Sequence, residues 1–270
     1  MQSLEQLFDI EGKVALVTGG GSGIGAMITE ALVDAGCTVY IASRKQDALD
    51  EMAAELNKQG PGTVKGIAAD LGSGEGTEAL VKAISAETDH VDILVNNSGI
   101  SWGDALDTFP RDAWEKVLNL NVTAMADLTR LMLPLLTKNA QAADPSRVIN
   151  IGSVMGTRPM GSLVAGSGVG AYSYTASKAA VHHLTQMYSN EFAARHITVN
   201  ALAPGPFPSR MTKFALSNDA MADHITKDVP LGRVGEPEDM ACVIRWLCSK
   251  GGAYITGNIV AIDGGTAAKP

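Results

Sequence analysis

Short, nearly unbroken apolar runs alternate along this chain with longer stretches in which apolar residues recur every three or four positions. The runs "VALV" (14–17), "TVYIA" (38–42), "TVKGIAA" (63–69), "DILV" (92–95), "RVINI" (147–151), "ITVNALA" (197–203) and "NIVAID" (258–263) predict seven strands. Continuous rather than alternating apolarity is the mark of a parallel sheet covered on both faces. Amphipathic stretches at 24–35, 46–59, 77–87, 112–136, 176–195 and 237–248 predict the helices between them. Right-handed crossovers then give one α/β domain over residues 1–270, a doubly wound seven-stranded parallel sheet that offers ligands the carboxyl ends of its strands. The segment "GTRPMGSLVAGSGVG" (156–170) lies between a strand and a helix and reads as a loop over a site, not as a linker.

Composition narrows the function. A formal net charge of −8 disfavours nucleic acid as a partner, which would call for clustered Lys and Arg. No apolar run reaches the ~18 residues of a membrane span, and "MQSLEQLFDI" (1–10) lacks the basic start of a leader. Three scattered cysteines, Cys37, Cys242 and Cys248, fit neither a disulfide framework nor a zinc site. A protein of the cytoplasm is the expectation. Adjacent His182 and His183 point to different faces of a helix, and no metal site is expected.

The first chemical signal is "TGGGSGIG" (18–25), between the first strand and the first helix. Gly19, Gly23 and Gly25 permit a tight turn and close approach, and helix-terminal N–H groups favour a pyrophosphate. With Gly21, Ser22 and Ile24 they form a candidate dinucleotide loop of a Rossmann-type domain. After the second strand, "ASRK" (42–45) supplies Ser43, Arg44 and Lys45 where NAD-binding proteins carry an acid. A guanidinium there grips a 2′-phosphate, so NADP(H) is expected over NAD(H); a solvated start to the next helix is the plainer reading. Asp70, beside Leu71 after the third strand, is either a turn residue leading a helix or a polar partner for the adenine. Asn97, Ser98 and Gly99 of "NNSG" (96–99) belong at the same sheet edge.

In "YSYTASK" (172–178) only Tyr174 stands four residues before Lys178, so the two share a helix face. Tyr172 is then a pocket wall or a packed aromatic. An adjacent ammonium would lower the phenol of Tyr174 from its ordinary ~10.

Taken in order, "TGGGSGIG", "NNSG", Ser153 after "VINIG" and the Tyr-x-x-x-Lys spacing resemble the short-chain dehydrogenase/reductase family over nearly the whole chain. Within it, "SWGDAL", "WEKVLNLNVT", "PFPSRMT" and "AYITGN" are similar to the 3-oxoacyl (β-ketoacyl) reductases of the rhamnolipid-pathway type. The resemblance implies a catalytic tetrad of Asn121, Ser153, Tyr174 and Lys178, with Lys178 also on the nicotinamide ribose. It implies Pro204 and Gly205 beside the nicotinamide and a substrate lid around 205–228. In that segment Met211, Phe214, Leu216, Met221 and Ile225 form a partly apolar face that a plain packed helix would also explain. The implied reaction is NADP(H)-dependent interconversion of a ketone and a secondary alcohol, with a 3-oxoacyl thioester as substrate. Other ketones, polyols, sugars or steroids are the alternatives, and a non-catalytic NADP(H) sensor is a further one.

Two departures from the family pattern stand out. NADPH-preferring relatives often carry Arg before the second loop glycine, where this chain has Ser22, so Arg44 must carry more of the preference. Twenty residues separate Ser153 from Tyr174, against roughly a dozen in the family, which should alter the substrate pocket. The family also implies a homotetramer built through the helices 112–136 and 176–195 and the C-terminal strand. Arg195 is a candidate contact for an acidic acyl carrier.

Overall fold

Parallel pairing, with both faces covered, organises the computed structural model, which describes residues 2–158, 168–209, 212, 217 and 219–269. The strands are β1 (Val14–Thr18), β2 (Thr38–Ser43), β3 (Thr63–Ala68), β4 (Ile93–Asn96), β5 (Ser146–Ile151), β6 (Ile197–Pro204) and β7 (Ile259–Ile262). They form one sheet of order β3-β2-β1-β4-β5-β6-β7, all parallel. The order reverses between β1 and β4, which opens a crevice at the carboxyl edge.

Alternate strand residues feed two separate cores. Ala15, Val17, Val39, Ile41, Ile93 and Val95 face α1 (Gly23–Asp34), α2 (Gln46–Leu56) and α8 (Pro237–Cys248), where Ile28, Leu32, Leu49, Ile244 and Leu247 are wholly buried. Val14, Leu16, Leu94 and Val148 face α3 (Gly74–Glu87), α5 (Ala124–Thr137) and α6 (Tyr172–Phe192), through Leu80, Ile84, Leu128, Met132 and Phe192. Two remaining helices, α4 (Arg111–Leu118) and α7 (Asp219–Asp228), complete the set used below. At the opposite sheet edge the fully buried Arg147 donates from Nε to the Leu247 carbonyl (3.1 Å) and from Nη2 to that of Ser249 (2.9 Å), tying β5 to the end of α8.

All seven predicted strands form, within a residue or two of the expected ends. The long helix expected over 112–136 forms from residue 111 to 137, with one irregularity. A π-helical turn, Asn119–Thr123, separates α4 from α5. The helix expected from 176 begins instead at Tyr172, so Tyr174 and Lys178 both lie on α6. A two-stranded antiparallel ribbon, Asp104–Ala105 with Val169–Gly170, was not foreseen and holds the far end of the 156–170 segment. Residues 159–167 of that segment, and Met211, Phe214 and Leu216 of the expected lid, lie outside the described residues.

Truncating one fully buried contact tests this arrangement. Leu32→Ala, between α1 and the sheet, is expected to destabilise the fold by about 2–5 kcal/mol, seen as a lower urea midpoint at unchanged slope.

Candidate active site

The glycine loop leaves β1 and turns into α1 with Gly19 at φ 65° and Gly23 at φ 55°, backbone that a side chain would strain. Gly25 is required for packing, since a Cβ there would overlap the Gly19 carbonyl and crowd Asn97. The side chain of Ser22 at the N-cap makes no bond to the helix. The first N–H groups of α1 therefore stay available, with the positive end of the helix dipole, for an anion.

Neighbouring turns brace this loop. Thr18 Oγ1 accepts the N–H groups of Asn97 and Ser98 (both 3.0 Å), while Asn97 Nδ2 donates to the carbonyls of Thr18 (2.9 Å) and Gly19 (3.2 Å). Asn97 thus serves the loop's backbone, as a polar side chain at this edge can. Ser43 ends β2, and Arg44 and Lys45 follow it, exposed and without an ion pair among the described residues. Asp70 Oδ1 accepts the Gly72 N–H (3.0 Å), the local turn role; Leu71 beside it is buried. Leu71 and Ser98 also line a small cavity of about 10 Å³ with Thr18 and Asn96. On the other side, Pro204 ends β6 and the Gly205 N–H donates to the Ile262 carbonyl (2.9 Å). The chain that follows places Ser209 against Gly23, so this segment already lies beside the glycine loop.

The reactive groups converge from three elements. Asn121 sits in the π-helical turn, a feature common at functional sites. Its Oδ1 accepts the Ile100 N–H (2.9 Å), and its Nδ2 donates to the Ile100 carbonyl (3.0 Å) and Ser177 Oγ (2.9 Å). Ser153 follows β5; its hydroxyl accepts the Met155 N–H (3.2 Å) and acts on the Tyr174 phenol, favouring its ionised form. Lys178 is buried one turn along α6, its Nζ donating to the Ile151 carbonyl (2.7 Å) and lying 5.5 Å from the centre of the Tyr174 ring. Gly99 faces both Asn121 and Lys178, and a Cβ there would crowd Asn121 Oδ1 at 3.1 Å.

The lowering expected of Tyr174 from Lys178 is opposed by burial. Burial outweighs it and holds the phenol above its ordinary value, with the Ser153 hydroxyl working the other way. Burial also depresses the Lys178 ammonium to about 8. Tyr172 resolves as a packed aromatic, edge-on to Phe109 (5.4 Å between ring centres) and seated against Gly170. Arg195 stacks over Phe192, 6.0 Å from its ring centre. No group of three metal-binding side chains occurs among the described residues.

All the expected loop and tetrad positions in the described residues thus gather at one carboxyl sheet edge. A family model described as enoyl-(acyl carrier protein) reductase matches residues 19–267. The rhamnolipids biosynthesis 3-oxoacyl-(acyl-carrier-protein) reductase of Pseudomonas aeruginosa is 44% identical over 258 residues, 96% of this chain and 97% of that protein. The chain belongs to the short-chain dehydrogenase/reductase family. Its members' chemistry makes it an NAD(P)-dependent oxidoreductase. A 3-oxoacyl-(acyl-carrier-protein) reductase of Vibrio harveyi is 37% identical over 257 residues, covering 95% of this chain and 98% of the relative. Among solved structures, the Pseudomonas aeruginosa RhlG/NADP active-site complex superposes with a TM-score of 0.92 at 43% identity, covering 97% of this chain and 99% of that one.

Sequence patterns missed the hub role of Thr18, the Ser177 partner of Asn121, and His182. Thr18 stands directly before the loop glycines, and His182 repeats the four-residue step of Tyr174 and Lys178, so both carried a positional signal. Gly25→Ala is expected to weaken nicotinamide cofactor binding about ten- to a hundredfold, from the 1–3 kcal/mol typical of an overpacked contact. Fluorescence titration with an unchanged far-ultraviolet dichroism spectrum checks this.

Proposed function

We propose that this reductase uses NADP(H) to interconvert a 3-oxoacyl thioester and its 3-hydroxy form, with Tyr174 exchanging the proton. The observation that carries the reading is the joining of Ser153, Tyr174 and Lys178 across β5 and α6, beside an uncapped glycine loop. The 3-oxoacyl reductases among its relatives support the substrate class, and the NADP held by its structural neighbour supports the cofactor.

The residues present fit that cofactor. The α1 terminus and the glycine loop would hold its pyrophosphate, Arg44 with Ser43 and Lys45 its 2′-phosphate, and Asp70 and Leu71 its adenine end. Asn97, Ser98, Gly99, Pro204, Gly205 and Lys178 would enclose the nicotinamide half. When bound, it supplies the hydride that reaches the ketone carbon. Tyr174, kept protonated by burial, gives its proton to the developing alkoxide. Ser153 hydrogen-bonds the same oxygen, where charge builds up. Lys178, still an ammonium near neutrality, stabilises the phenolate that Tyr174 leaves behind. Asn121 holds the turn at Ile100 and Ser177, and so fixes the wall beside Lys178.

We further propose a cytoplasmic homotetramer assembled through α4, α5 and α6. Exposed Met187 on α6 supports an outward apolar face, and buried Cys37 and Cys248, with thiols pushed up to about 12, behave as inert packing residues. Light scattering at micromolar concentration should give four times the chain mass; a monomer would reject the assembly.

Three kinetic outcomes test the chemistry. Acetoacetyl-coenzyme A should drive loss of NADPH absorbance, and Tyr174→Phe should cut kcat by about 10²- to 10⁴-fold. Arg44→Ala should raise KM for NADPH by about ten- to a hundredfold and leave NADH untouched, as loss of a charge-assisted hydrogen bond predicts. The free enzyme loses the Lys178 proton as pH rises through about 8, so kcat/KM for NADPH should be level well below that pH, bend near it and fall above it. A profile flat to pH 10 would remove the ammonium from the mechanism.

A further inference from the structure

His182 continues the stripe of α6 that carries Tyr174 and Lys178, each one turn beyond the last. It is buried, whereas His183 beside it is exposed. Both ring nitrogens are engaged with the turn that holds Ser153. The Ser153 N–H donates to Nε2 (3.4 Å), Nδ1 lies 3.5 Å from Thr157 Oγ1, and the ring meets the Gly156 main chain. An imidazole that accepts at Nε2 is neutral and carries its hydrogen on Nδ1. Burial and the neighbouring Lys178 ammonium keep it so, depressing its pKa to about 4.

The sequence of the turn is fitted to this ring. A Cβ on Gly152 would overlap His182 Nε2, and one on Gly156 would lie 2.6 Å from the Lys178 carbonyl carbon. Two missing side chains thus let residues 152–156 lie directly on α6, with the imidazole as the polar contact between them. Ser153 reaches Tyr174 across this junction, because the turn and the helix come from different parts of the chain. Thr157 and Gly156 on the turn and Lys178 on the helix are the groups that meet the ring.

We propose that His182 is a positioning residue of the reductase, acting through Ser153: its neutral imidazole clamps the 152–157 turn to α6 and so sets the hydrogen bond between Ser153 and Tyr174. It touches neither substrate nor cofactor. The proposal rests on the reaction given above for Ser153 and Tyr174.

The test uses the full-length enzyme with NADPH and acetoacetyl-coenzyme A, and the variants His182→Met, His182→Gln and Gly152→Ala. Met keeps the bulk without the polar atoms, and His182→Met should lower kcat by about a hundredfold, the scale of an ångström-sized misplacement, with the NADPH Kd changed less than about twofold. Gln can both accept and donate, and His182→Gln should return kcat to within about threefold of the parent. Gly152→Ala keeps the histidine but displaces its ring from the Ser153 N–H, and should lose kcat as His182→Met does. Ultraviolet titration, taken as the difference from the matching Tyr174→Phe protein, follows the phenol without turnover. It should shift upward in His182→Met, since the Ser153 bond that favours the phenolate is weakened.

An unchanged kcat and an unchanged phenol titration in His182→Met would overturn the proposal, as would a Gln variant as slow as the Met variant. Should His182→Met fail to fold, Gly152→Ala carries the comparison, and its retention of full kcat and of the parent titration overturns the proposal equally. A parent enzyme that ignores acetoacetyl-coenzyme A defeats the substrate reading alone. The phenol titration then still decides the role of His182.

Discussion

A buried ammonium has to meet an oxygen, and the site is organised around that requirement at Lys178. Its Nζ is taken out of water on α6 and donates to the Ile151 carbonyl at the end of β5. An uncompensated charge at this depth would cost several kcal/mol, so the bond fixes the helix against the strand end as firmly as the apolar core does. Tyr174 and His182, one turn to either side, are then placed by the helix itself. Ser153, two residues beyond Ile151, is placed by the strand. That contact ties the segment carrying Ser153 to the helix carrying Tyr174.

The rest of the edge depends on the same economy of backbone partners. Parallel strands end with carbonyls and N–H groups that no further strand can satisfy, and short polar side chains meet them. Thr18 and Asn97 lock the glycine loop to the turn after β4, and Asn121 locks the next turn through Ile100. Asn96 Nδ2 donates to Asn150 Oδ1 on the adjacent strand, and Asn150 Nδ2 to Thr185 on α6, continuing the polar seam across the sheet. Stability and function draw on the same bonds. The N–H groups left over, those at the start of α1, are the ones an anion would engage.

Legibility in the sequence followed the range of the forces involved. Strands such as 14–17 and 92–95 announced themselves because burial on both faces leaves nothing but apolar residues. The glycine loop and the Tyr174–Lys178 step were legible because turn geometry and helical periodicity are local. What failed was long-range. Arg147 sits inside a strand pattern with nothing nearby to mark it, since its partners are carbonyls at Leu247 and Ser249, some hundred residues on. The π-helical turn at 119–123 lies within an unbroken amphipathic pattern, and the partners Asn121 meets there, Ile100 and Ser177, are distant in sequence. The comparisons with relatives bear out the fold and the family; the roles of individual residues rest on the geometry.

The corrected ionisation of Tyr174 changes the direction in which the site is best prepared to work. If Lys178 lowered the phenol into the neutral range, the resting enzyme would carry a phenolate, ready to take a proton from an alcohol. Burial acts against that: charge on the oxygen is opposed by the same dry surroundings that depress Lys178. The resting pair is therefore a neutral phenol beside an ammonium, which is a donor set. Ketone reduction uses the tyrosine in the state the fold already stabilises, and leaves a phenolate next to a cation that favours it. Alcohol oxidation would have to begin by forming that phenolate in dry surroundings. The asymmetry belongs to the protein's own groups.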